Sequence, residues 1–187
     1  MAEPGRLTAL RHRVAELRAE IRSLQAEAAA GPVADYVFAT PAGPVRLSAL
    51  FGPKADLFVI HNMGTGCANC TMWADGFNGL YPHLADRAAF VVSSPDDPAR
   101  QATFAAERGW RFPMVSHAGT SFAADMGFLS DAGRPRPGIS VFRRRSDVIM
   151  RVSAAGFEPG DDFCAAWHLF DLLPQGADGW EPRFRYP

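Results

Sequence analysis

The chain has 187 residues, 48 % of them apolar and 21 % charged, with a net charge of −1. That is enough for one domain with a core plus an appendage, and it offers no electrostatic case for a nucleic-acid or anionic-membrane partner. No window approaches the ~20 consecutive apolar residues of a membrane span, and the charged N-terminus does not read as a signal peptide.

A cytoplasmic protein is therefore expected. In that compartment the three cysteines are not a structural disulfide framework; a Cys-x-x-Cys there points to catalysis, redox sensing or metal binding.

Residues 6–30 read as one helix. Leu7, Leu10, Val14, Leu17, Ile21 and Leu24 fall at alternating steps of three and four, an a/d heptad seam with arginines and glutamates elsewhere. Two readings stand: the seam pairs with a second chain, giving a homodimer, or it lies on this chain's own domain. Gly31-Pro32 is expected to end the helix.

Residues 36–40 and 45–50 flank Pro41-Ala42-Gly43-Pro44 and predict a hairpin. Residues 57–62 form a buried strand, and a helix begins near Met72. Residues 89–93 form a second strand. Ser94-Pro95-Asp96-Asp97 reads as a helix start, with Ser94 as the cap and the proline at the first position, and the helix stops at Gly109.

A short strand at 112–116 and one or two helical turns at 121–128 follow. A strand pair at 139–143 and 148–152 turns at Arg145-Ser146-Asp147, and a last helix spans 161–173. Strands alternating with helices, closed by a terminal hairpin and helix, predict an α/β fold: a mixed central sheet flanked by helices. The expected division is the heptad helix (1–31), the α/β domain (32–175) and a tail (176–187).

The chemistry centres on Cys67-Ala68-Asn69-Cys70, at a turn from an apolar strand into a helix. One thiol there lies near the positive end of a helix, where a thiolate is favoured, and the second stands one turn on. Cys67 is the candidate nucleophile and Cys70 the resolving thiol. Gly64 and Gly66 let the chain turn tightly and leave the sulfur accessible. The alternative is an inert pair of small buried residues.

A further alternative uses Cys164 and His168, spaced i, i+4. With Cys67 and Cys70 they make a Cys3His zinc set. Gly64-Thr65-Gly66 is too short for a phosphate loop and lacks the Lys-Ser/Thr that follows one, so no organic cofactor is expected.

The order of these elements resembles the thioredoxin-like superfamily. Cys67–Cys70 stands where that superfamily carries its redox pair. Pro137-Gly138-Ile139-Ser140-Val141-Phe142 resembles its cis-proline strand, and the stretch from Phe38 to Gly52 is similar to the N-terminal hairpin of peroxiredoxin-type members.

More narrowly, the run from Cys67 through Phe77, then His83-Leu84, Gly109-Trp110-Arg111-Phe112-Pro113, Ser121-Phe122 and 137–142 resemble the bacterial family called domain of unknown function 899. The match covers most of 32–175. The tail departs from it: Ala177 stands where an arginine would follow Gly176.

The resemblance implies a thiol–disulfide oxidoreductase, with peroxide reduction as a related activity, acting on a protein or small-molecule disulfide or peroxide. It implies that Pro137 shapes a groove beside the sulfurs. It also sets His61 at the position of a buried proton-transfer group; a hydrogen-bonded core histidine is the other reading. Trp73 and Arg136 are weaker candidates for the substrate site. The competing class is a redox-inert thioredoxin-like fold serving as a dimeric binding or scaffold protein.

Overall fold

A computed structural model describes residues 4–27 and 30–187. Helix α1 (Pro4–Glu27) is about 36 Å long at 1.5 Å per residue. Its expected end at Ala30 is not reached: residues 28 and 29 lie outside the described residues, and Ala30 is not helical. Arg18 tethers α1 to the body through Asp162, its Nε donating to Oδ2 at 3.1 Å. The heptad seam does not lie on the domain, since its six apolar side chains are 44–58 % exposed.

Gly31-Pro32 does not merely end a helix. It forms a short strand, β1 (Gly31–Pro32), opposite Arg151 and Met150. The hairpin is β2 (Val37–Thr40) with β3 (Gly43–Arg46). Its second arm is shorter than expected, because Leu47–Leu50 turn into a helical segment, α2. Leu47 and Phe51 are fully buried there, so core packing outweighs their strand propensity.

The centre is β4 (Asp56–His61), α3 (Ala68–Arg87), β5 (Ala89–Ser94), α4 (Pro98–Arg108) and β6 (Met114–Ser116). A short turn, α5 (Phe122–Asp125), leads to β7 (Gly138–Arg145) and β8 (Val148–Gly156). The last helix, α6 (Ala165–Phe170), is shorter than the expected 161–173. Asp161 spends its carboxylate on the N–H groups of Glu158 and Phe163, which shapes a turn before the helix.

The eight strands form one sheet in the order β1-β8-β7-β4-β5-β6-β2-β3. β4, β5 and β6 are parallel; the remaining pairings are antiparallel. Side chains of the central strands alternate between two apolar layers. Leu57, Val59 and Val91 enter one layer with Phe38, Phe51, Phe122 and Phe142. Ile60, Phe90 and Val92 enter the other with Trp73, Phe77, Phe157 and Trp167. Both faces of β4 and β5 are thus covered, as the unbroken apolar runs require.

α4 starts three residues later than expected. Asp97, not Ser94, is its cap, accepting from the N–H groups of Ala99 and Arg100 at 3.0 Å, and Pro98 takes the first position. Ser94 is the last residue of β5, and its hydroxyl receives Gln101 Nε2 at 2.8 Å. No described helix is long and apolar enough to cross a membrane.

Candidate active site

β4 ends at His61, and the chain turns through 62–66 into α3. Asn62 is held to β5 by its N–H to the Ser93 carbonyl (2.9 Å), and its side-chain oxygen accepts from Gly64 N–H (2.8 Å). Gly64 has φ +104°, and a Cβ there would stand 2.8 Å from Asp96 Oδ2. Only glycine meets both conditions without strain. The same Asp96 oxygen accepts from Thr65 N–H at 2.7 Å, and Arg100 Nε donates to the Thr65 hydroxyl at 2.6 Å. Sequence does not single out Asp96 and Arg100 as site residues; their only signal there is an acid and a base four residues apart.

Cys67 is the N-cap of α3, with extended backbone, and its Sγ accepts from Cys70 N–H at 3.0 Å. The first turn is secured further by the Cys67 carbonyl, which accepts from both the amide and the hydroxyl of Thr71. Cys67 is half-buried and Cys70 buried; both are free thiols. The hydrogen bond from the Cys70 side chain lowers the Cys67 pKa to about 7, aided by the backbone N–H groups of Cys70 and Asn69 and opposed by burial. Cys70 moves the other way: donating to Cys67 and losing solvent hold it as the protonated thiol. One sulfur is thus a half-exposed thiolate near neutral pH, with a thiol proton donor one turn on.

His61 points away from this pair into the core. Its Nε2 meets Ser140 Oγ at 2.9 Å, and its ring stacks on Phe128 at 3.8 Å. Burial, then His117 and Arg151, push its pKa well below the ordinary value, so it is neutral. No hydrogen bond joins it to either cysteine among the described residues. A second buried histidine, His117, escapes the sequence reading because nothing marks it there. Its Nδ1 meets Ser93 Oγ at 2.8 Å, and burial lowers its pKa to about 4.

Pro137 requires a correction, since no described peptide bond is cis. Hydrogen bonds on both sides of it set a trans entry into β7: Arg136 N–H donates to the Phe128 carbonyl (2.9 Å), and the Pro137 carbonyl accepts from Phe157 N–H (3.0 Å). Pro137 and Arg136 line an open cavity of about 490 Å³ with Phe128, Arg151 and Phe157. Phe157 also packs on Trp73 with ring centroids 5.5 Å apart. Trp73 itself is buried on α3, with Nε1 donating to Asp161 Oδ1 at 3.3 Å.

Asp75, on α3, links that helix to the end of α4. It pairs with the Arg108 guanidinium and accepts from Trp110 Nε1 at 2.8 Å.

The zinc alternative does not assemble. Cys164 is buried in the second apolar layer, and His168 pairs with Asp162 and Asp171. No group of three or more His, Cys, Asp or Glu side chains among the described residues is placed to hold a metal ion. Cys164 instead packs beside Trp73 and Phe77 of α3 in that layer, as a small apolar side chain.

A parallel β4-α3-β5 unit, an antiparallel β7-β8 hairpin beside β4, and a cysteine pair opening α3 define the thioredoxin-like class. The chain belongs to the family described as "Bacterial protein of unknown function (DUF899)", which matches residues 1–183 and so takes in α1 as well as the sheet.

Among solved structures it is similar to the peroxidoxin BcpB of Mycobacterium tuberculosis, at 27 % identity and TM-score 0.55, over 66 % of this chain and 84 % of that one. A cysteine-to-serine mutant of Xanthomonas campestris peroxiredoxin Q matches at 21 % identity and TM-score 0.51, over 65 % and 80 %. A hypothetical protein from Sinorhizobium meliloti 1021 matches at 15 % identity and TM-score 0.55, over 84 % and 88 %. No curated protein matches the chain.

Proposed function

We propose that this protein is a two-cysteine thiol oxidoreductase that reduces peroxides, with Cys67 as nucleophile and Cys70 as resolving thiol. The observation that carries the reading is the geometry of two free thiols one helical turn apart at the start of α3. Half-buried Cys67 caps the helix and its Sγ accepts the Cys70 N–H at 3.0 Å, which favours a thiolate at Cys67 and leaves Cys70 as the thiol. Similarity to a mycobacterial peroxidoxin supports peroxide as the oxidant.

The Cys67 thiolate attacks the terminal oxygen of a peroxide ROOH. An S–O bond forms, the O–O bond breaks, and RO⁻ leaves and takes a proton from water. Cys67 is then a sulfenic acid. The Cys70 sulfur attacks it, the S–O bond breaks, and a disulfide and water result. A dithiol reductant of the cell returns two electrons and two protons.

His61 takes no proton in this scheme, because its ring is neutral and bonded to Ser140. The cavity lined by Arg136 and Pro137 has neither cysteine in its lining; it is the proposed seat for a reducing partner, with Arg136 attracting anionic groups, while peroxide reacts at the half-buried Cys67. The proposed setting is the cytoplasm, whose thiol pools keep such a pair reduced between turnovers. The exposed seam of α1 supports a homodimer through that helix.

The deciding experiment measures peroxide consumption with a dithiol reductant. Wild type turns over and Cys67→Ser does not; with the reductant left out, Cys70→Ser gives one turnover and stops at a sulfenic acid that a dimedone-type probe traps. Unchanged reduction by Cys67→Ser would remove Cys67 as the nucleophile, and a wild type that reduces neither peroxide nor disulfide would leave the redox-inert scaffold as the better reading.

A further inference from the structure

We propose that two copies of this chain associate through α1 as an antiparallel pair, with Leu7 facing Leu24 of the other copy. The inference rests on the homodimer reading above, is independent of the redox chemistry, and fixes which way the two helices run.

The first observation is apolar. Leu7, Val14 and Ile21 occupy one seam position, and Leu10, Leu17 and Leu24 the other; all six are 44–58 % exposed along 24 residues of helix. Six large side chains in one line and open to water call for a partner surface of the same kind. Three heptads on each chain close into six layers when the helices run oppositely: Leu7 on Leu24, Leu10 on Ile21, Val14 on Leu17, and the three symmetry mates.

The second observation is charge, and it sets the direction. The positions flanking the seam on one side are Arg6, Arg13, Glu20 and Glu27; those on the other are Arg11, Arg18 and Gln25. In a parallel pair each residue of the first set meets the residue five positions later in the partner chain. Arg6 then meets Arg11 and Arg13 meets Arg18, each twice, with no attractive contact in return. In the antiparallel pair the first set meets itself. With the six layers above, Arg6 meets Glu27 and Arg13 meets Glu20, and both recur by symmetry. All four contacts are attractive.

The other flank brings Arg11 toward Arg18, but Arg18 is already neutralised by Asp162 of its own domain. Asp162 softens Arg11–Arg18 here and Arg13–Arg18 in the parallel pair alike, so the direction rests on Arg6–Arg11 in the parallel pair against the four Arg–Glu contacts of the antiparallel one. Like charges directly opposed across such a seam select against the wrong partner orientation.

The test is sedimentation equilibrium of the full chain and of two charge variants. Wild type is expected at twice the 20.3 kDa chain mass. Arg6→Glu with Arg13→Glu makes the whole flank acidic; the antiparallel pair is expected to weaken by at least about tenfold toward monomer. Glu20→Arg with Glu27→Arg is expected to weaken it likewise, and an equimolar mixture of the two variants to restore a heterodimer.

In a parallel pair the first variant would instead set its two new carboxylates against Arg11 and Arg18 of the other copy, and would tighten. A wild type that remains monomeric at high concentration removes the homodimer reading altogether. A dimeric wild type whose Arg6→Glu, Arg13→Glu variant associates more tightly keeps the homodimer and overturns the antiparallel direction.

Discussion

The amide of Cys70 donates to the sulfur of Cys67 at 3.0 Å, so the residue that would receive the nucleophile's bond also tunes its charge. The Cys70 side chain adds a second hydrogen bond, the largest cause of the lowered Cys67 pKa. Replacing Cys70 by alanine removes the side-chain bond and keeps the amide. The Cys67 pKa is expected to rise from about 7 toward the ordinary thiol value of about 8.5. Alkylation rate against pH, read by mass spectrometry, checks this; a midpoint that stays near 7 would show that the backbone alone sets it.

His117 is expected to destabilise the fold in acid. Its folded pKa is depressed from 6.5 to about 4, so the charged form is disfavoured in the native state. Its contribution is present above about pH 6.5 and is lost as pH falls from there to about 4, amounting to about 3 kcal/mol at full value. His61, also depressed, adds in the same direction. Urea unfolding at pH 8, 6, 5 and 4 should show falling stability, and His117→Asn should flatten that slope. An identical slope in the variant would remove His117 as a cause.

Gly64→Ala is expected to cost roughly 1–3 kcal/mol, since it combines a positive φ with a Cβ 2.8 Å from the Asp96 carboxylate. To relieve the clash, Asp96 must release Thr65 N–H, which frees the turn before Cys67. Thermal unfolding and the Cys67 alkylation rate should change together. A variant as stable as wild type would show that the turn tolerates the shift.

Gly138→Ala is expected to be more damaging. Its Cβ would fall 2.1 Å from a Phe128 ring carbon and 2.5 Å from the Ala155 carbonyl oxygen, and the latter is backbone of the paired strand. Low soluble yield or a large loss in melting temperature is the expected readout. Normal yield and melting would mean that β7 and β8 separate there at little cost.

The β4-turn-α3 unit was legible because local signals agreed: an apolar run, glycines, a cysteine at a cap position and a helical period after it. The start of α4 was ambiguous locally, since Ser94-Pro95 and Asp97-Pro98 are both cap-and-proline pairs. The choice came from elsewhere: the sheet takes Ser94 through Ser116, and Gln101 takes its hydroxyl. The expected start of the last helix at 161 gives way for a similar reason: turn amides and the Trp73 indole take the Asp161 carboxylate. The partners of His61, His117 and Asp96 are 24 to 79 residues away in the chain, and no local pattern encodes them.

Asp96 anchors the approach to Cys67 from a segment 31 residues downstream, while the far side of the cysteine pair is held within its own helix. A bond closing between Cys67 and Cys70 therefore pulls on a fixed post and a movable rail. The post is the turn at Thr65; the rail is the first turn of α3, which gives up its Cys70 amide bond and carries Trp73 with it. Trp73 touches Phe157 and Asp161, so a disulfide between Cys67 and Cys70 is expected to be felt in the segment after β8. Indole emission before and after oxidation would report it.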